Sequence, residues 1–155
     1  MTNWIQTLAE TDKERKNSNA RGTQSHQLKQ FVEKETRQYM GDLKAAFASI
    51  VQEFNTNKID DNSSIKLYNI EGAKSSFMLF RGVTQLNIRY SKPGQIKIDI
   101  QNIQAYQNTT KSLLSIQLNM SLGNFEEVIW IFNKRPVDMN SLLKYLVKML
   151  VHISC

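Results

Sequence analysis

Two consecutive stretches of this chain, between about residues 95 and 122, place an apolar side chain at every second position. Ile96, Ile98 and Ile100 alternate with Lys97, Asp99 and Gln101. Leu114, Ile116, Leu118, Met120 and Leu122 alternate with Ser115, Gln117, Asn119 and Ser121. On a pleated strand that spacing sends all the apolar groups to one face and all the polar ones to the other. The pattern demands a sheet with one dry and one wet face, and the dry face needs a covering layer.

Two helical patterns frame the alternation and can supply that layer. From about 25 to 54, Leu28, Val32, Tyr39, Leu43, Phe47, Ile50 and Phe54 recur at steps of three and four, interrupted where Glu35 and Thr36 intervene. Phe31, Met40 and Val51 widen the stripe, which suits packing on a sheet better than a narrow two-stranded seam. The near-heptad steps also permit a coiled-coil dimer. A second pattern over 139–153 buries Leu142, Leu143, Leu146, Val147, Leu150 and Ile153 and leaves Lys144 and Lys148 outside. Asp138 is its expected N-cap, and Val137 before it can staple to Leu142.

Between the helices the sequence predicts about six strands, at 65–70, 76–81, 83–90, 95–105, 112–122 and 125–132. The links are short and carry turn residues, among them Gly72, Gly82, Pro93-Gly94, the 107–110 segment and Gly123-Asn124. In the third of these, Pro fixes the first central position of a type II turn and Gly the second. Short links between successive strands imply an antiparallel meander. The fold class is therefore α+β: a long N-terminal helix, an antiparallel meander sheet and a C-terminal amphipathic helix. Phe77–Phe80 and Val128–Phe132 break the alternation by being apolar on both faces. Such strands either lie centrally between helical layers or line a groove or subunit interface.

A chain of 155 residues suits one domain. Residues 25–155 form it in this reading, and 1–24 make a short first helix (2–16) followed by a polar linker from Asn17 to Ser25. No apolar run approaches the roughly 20 residues of a membrane-spanning helix. The first six residues lack the basic and apolar regions of a secretory signal, so a cytoplasmic location is expected. The single cysteine, Cys155, excludes a disulfide within the chain. Net charge is +6. Up to Asn57 there are eight Lys/Arg against seven Asp/Glu, and after it twelve against seven, so the excess belongs to the sheet and last helix. That bias favours polyanionic partners.

Little in the chain points to catalysis. The two histidines, His26 and His152, sit in the linker region and the last helix. His152 beside Cys155 invites a base-and-nucleophile reading, but a terminal turn cannot hold two groups to catalytic tolerance. Asp60-Asp61 fall in a polar turn, and Glu126-Glu127 open the last predicted strand pointing to opposite faces. Asp99 is expected to pair with a neighbouring cation such as Arg89. There is no glycine-rich phosphate loop, no nucleophile elbow and no metal-ligand spacing. No catalytic residue, metal or cofactor is expected.

Three binding functions fit. The first is an interaction or adaptor protein, a homodimer or a subunit of a larger assembly, that contacts a protein partner through Trp4, Ile5 and Leu8 behind the linker and through Trp130 and Phe132 on a two-faced strand. The second is a nucleic-acid-binding accessory protein whose wet sheet face displays Lys66, Arg89, Lys92, Lys97 and Gln101, with Asn87, Gln117 and Asn119 beside them. Exposed aromatics would serve such a face, and Tyr68 and Tyr106 are the candidates. The third is an apolar-ligand binder with a cavity between long helix and sheet, lined by some of the six methionines.

Overall fold

The computed structural model describes residues 5–7, 21–57, 64–72, 75–104 and 109–153. After the helical residues 5–7, the elements are α1 (Arg21–Asn57), β1 (Lys66–Asn69), β2 (Phe77–Arg81), β3 (Thr84–Lys92), β4 (Gln95–Gln104), β5 (Thr109–Leu122), β6 (Val128–Phe132), β7 (Arg135–Pro136) and α2 (Met139–Ile153). The sheet is one antiparallel meander whose spatial order is its chain order, β1 to β7. The α+β reading holds, with seven strands in place of six.

The extra strand is the two-residue β7, where the sequence suggested only that Lys134, Arg135 and Pro136 stop the chain. It pairs with β6 through Ile131↔Pro136 and Phe132↔Arg135. The two-residue link has both Asn133 and Lys134 at positive φ (52° and 65°), as a type I′ hairpin requires. Lysine is not a residue that advertises such a turn. Pro136 also suits an edge, since it has no N–H to give a further strand.

The dry face forms by register. Leu79 pairs with Leu86, which pairs with Ile100, and Ile100 with Leu114; Phe77, Ile88, Ile98 and Ile116 make the next ridge. Both helices cover this face. Met40, Leu43, Phe47 and Val51 of α1 and Leu142, Leu143, Leu146 and Leu150 of α2 share one cluster with those strand residues. Phe47 meets Phe77 edge-on, with ring centroids 5.9 Å apart. Each such side chain contributes about 1.5–3 kcal/mol on removal from water.

Thr36, which interrupts the apolar stripe of α1, is fully buried. Its hydroxyl donates to the Val32 carbonyl (2.6 Å) and accepts the Gly94 N–H (2.8 Å) from the β3–β4 turn. The polar break is thus the point where helix and hairpin are tied. Gly94 has φ +81°, as a type II turn asks, and a Cβ there would stand 3.2 Å from Val32. The conformation calls for glycine, and an added Cβ would also press on Val32.

Other polar ties fix the ends. Asn55 donates to the Ile65 carbonyl and accepts its N–H, both at 2.9 Å, so α1 and β1 stay in step. Arg81 donates to the Val151 carbonyl in the last turn of α2 (3.0 Å) and lies over the Phe54 ring, a favourable place for a cation. The predicted cap is present: Asp138 accepts the Ser141 N–H at 3.1 Å. The leading segment fits less of its expectation. α1 begins at Arg21, inside the stretch read as linker, and most of the expected first helix lies outside the described residues. The two-faced strands β2 and β6 are not central; each is second from an edge.

Candidate nucleic-acid interface

Apart from two register shifts, alternate described side chains of β1–β5 point away from the helices. The register arranges these residues in rows across the sheet. One row runs Lys66, Phe80, Gln85, Gln101, and the next Tyr68, Met78, Asn87, Asp99, Ser115. A third holds Arg89, Lys97 and Gln117. Lys66, Tyr68, Arg89, Lys97, Ser115, Gln117 and Asn119 are exposed, whereas Met78, Phe80, Gln85, Asp99 and Gln101 are half-buried and Asn87 is buried.

Amides and a thioether knit the surface together. Gln101 donates to Gln85 (2.7 Å), and Gln85 donates to the Met78 sulfur (3.2 Å). Asn87 donates to the Asp99 carboxylate at 2.9 Å. Here the structure corrects the expected Asp99–Arg89 pair: Asp99 is taken by Asn87, directly opposite it. Asn87 is 1% exposed, and its Oδ1 has no partner.

Arg89 and Lys97 are left facing each other across β3 and β4, exposed and without hydrogen-bond or ion-pair partners. Like charges directly opposite on a sheet repel, weakly where both side chains are exposed. An anion held between them removes that repulsion. Lys66 lies exposed at one end of the face, and Lys92 at the β3–β4 hairpin beside a register shift. Gln101, by contrast, is half-buried and engaged in the amide ladder. Tyr68, 49% exposed, meets Phe80 edge-on at 6.0 Å on the same face. The sequence left Phe80 on a two-faced strand, either central or at a groove or interface; its half-exposure follows from its place next to a four-residue edge strand. Tyr106 lies outside the described residues.

The residues assigned to a protein partner are dispersed. Trp4 and Leu8 lie outside the described residues, and Ile5 is 61% exposed. Trp130 points inward at 5% exposure and stacks on Tyr39 with centroids 4.7 Å apart; Phe132 is half-buried at the margin of the core. The Tyr39 hydroxyl is buried without a partner, and burial, assisted by the Asp138 charge, pushes its pKa up to about 12. Beside it opens a cleft of about 350 Å³ whose wall includes Glu35, Asp42 and Asp138.

Two exposed aromatics escaped the sequence reading, Tyr145 on α2 and Phe125. Phe125, at the tip of the β5–β6 loop, is 90% exposed. Glu126 and Glu127 do not open a strand but belong to this loop. Glu127 folds back to accept the Phe125 N–H (2.8 Å), while the Gly123 N–H donates to its carbonyl. His26 and His152 are both exposed, and Cys155 lies outside the described residues. No helix of the described residues is long and apolar enough to cross a membrane. No protein-family model, curated protein or solved structure matches the chain.

Proposed function

We propose that this chain binds nucleic acid through the outer, polar face of its sheet. The observation that carries this reading is the directly opposed, exposed and unpaired couple Arg89 and Lys97. Nearby cations extend the positive surface, while its one carboxylate, Asp99, is already engaged by an amide. Phosphates neutralise such a couple and release their own counterions, so affinity must fall as salt rises. No step of covalent chemistry is needed: the amides and cations of this face are binding groups.

The test is fluorescence anisotropy with a labelled oligonucleotide at several salt concentrations. Wild type should bind at low salt with a linear loss of log affinity against log salt. The double variant R89A/K97A should bind at least tenfold more weakly and lose roughly 1.5 from the magnitude of the slope, for two phosphate contacts. Equal binding by both proteins, or none by either at low salt, refutes the proposal. A second reading, an adaptor that assembles with a protein partner, is favoured by Phe125 on its braced loop and by exposed Ile5. Light scattering and pulldown with Phe125→Ser and Ile5→Ser test it. A monomer whose partners ignore both changes would defeat that reading.

A further inference from the structure

The aromatic pair on the open face refines this picture. We infer that the nucleic acid bound is single-stranded, and that Tyr68 is the platform on which one of its bases stacks. The inference rests on the phosphate-binding role of Arg89 and Lys97 proposed above. Tyr68 stands on β1, in the row that contains Asn87 and Asp99, one row from Arg89 and Lys97. Aromatic ring and cation couple therefore share the face and lie within a few strand spacings, about 4.8 Å each. Phe80 fixes the Tyr68 ring by an edge-on contact (interplanar angle 70°), and about half of Tyr68 remains open. Lys66, two residues before Tyr68 on the same side of β1, adds an exposed cation one row away.

This combination separates single strands from duplexes. In a duplex the bases stack on one another, so a ring standing on an open sheet has no base face to meet. A single strand can splay its bases, and an exposed aromatic among cations is the recurrent way of holding them without sequence preference. A half-exposed tyrosine braced by phenylalanine would otherwise be an aromatic patch among polar and charged side chains. Stacking gives it a partner, while the cations hold the backbone.

A labelled 12-nucleotide single strand and the same sequence as a duplex, both at low salt, provide the test. Wild type should prefer the single strand by about tenfold or more. Tyr68→Ala should weaken single-strand binding about five- to hundredfold, the effect of one stacked base, with the salt slope unchanged. Tyr68→Phe keeps the ring and should bind within twofold of wild type. Tyr68→Leu, which preserves bulk against Phe80, should bind as weakly as Tyr68→Ala and guards against a folding artefact. If Tyr68→Ala and Tyr68→Leu bind as wild type while R89A/K97A is weakened, the stacking role is wrong and the phosphate reading stands. Tighter binding of the duplex has the same meaning. Failure of wild type to bind either form removes the phosphate reading and this inference with it.

Discussion

The two faces of the central strands differ by a single step along the chain, yet they obey different physics. On the inner face Ile98 is fully buried beneath the helices; on the outer, its neighbour Lys97 is exposed opposite Arg89. The inner side chains are fixed by packing density, where the loss of a methylene is felt. The outer ones are fixed by hydrogen bonds between amides, and they leave two cations unneutralised. Stability therefore resides on one side of the sheet, and the proposed binding role on the other.

The sharpest way to break that division is to cut into the inner face. Phe47→Ala should cost about 3–5 kcal/mol in chemical unfolding, and Leu146→Ala about 2–5 kcal/mol, because both side chains are fully buried. The tie between α1 and the β3–β4 turn comes next. Thr36→Val keeps the shape but strands the Gly94 N–H, so a loss of about 1–3 kcal/mol is expected. Gly94→Ala should be destabilising as well, since it meets both the positive φ and Val32.

Alkaline pH probes the same side. The pKa of Tyr39 is raised to about 12, so the folded state holds its proton more tightly than the unfolded chain. That contribution is complete below pH 10 and is lost as pH rises from about 10 towards about 12. Tyr39→Phe has no phenol to ionise, and its melting temperature should fall less steeply across that window. A smaller effect of opposite sign is expected at the β6–β7 hairpin. Lys134→Gly relieves a left-handed lysine and should stabilise by roughly 0.5–1 kcal/mol, measured in urea. Smallest is the outer face itself. R89A/K97A should change stability by no more than about 0.5 kcal/mol while weakening nucleic-acid binding. If that variant unfolded as readily as Phe47→Ala, the separation of roles would be wrong.

Much of this division was legible in the sequence, because alternation is local. Ile96, Ile98 and Ile100 announced the inner face, and Arg89 and Lys97 fell on the outer one by the same rule. The closing helix occupies its expected span, since Asp138 caps it and its leucines keep helical spacing. What stayed hidden depends on lateral register. Only the pairing of β3 with β4 puts Arg89 opposite Lys97 and gives Asp99 to Asn87. Thr36 looked like a defect in the helix until the distant turn that it binds was in place. Whether Phe77–Phe80 lies centrally or near a sheet edge could not be read from the strand itself, since that is a property of strand order. Phe125 was obscured because the bracing by Glu127 is a loop geometry, not a pattern.

Side-chain NMR during titration with a single-stranded oligonucleotide tests the outer face most directly. The Arg89 guanidinium and Met78 methyl signals should shift together and saturably, while the methyls of Ile98 and Leu146 hold still. Shifts confined to the helices or to Phe125, or no shifts at low salt, would contradict a binding role for this side of the sheet.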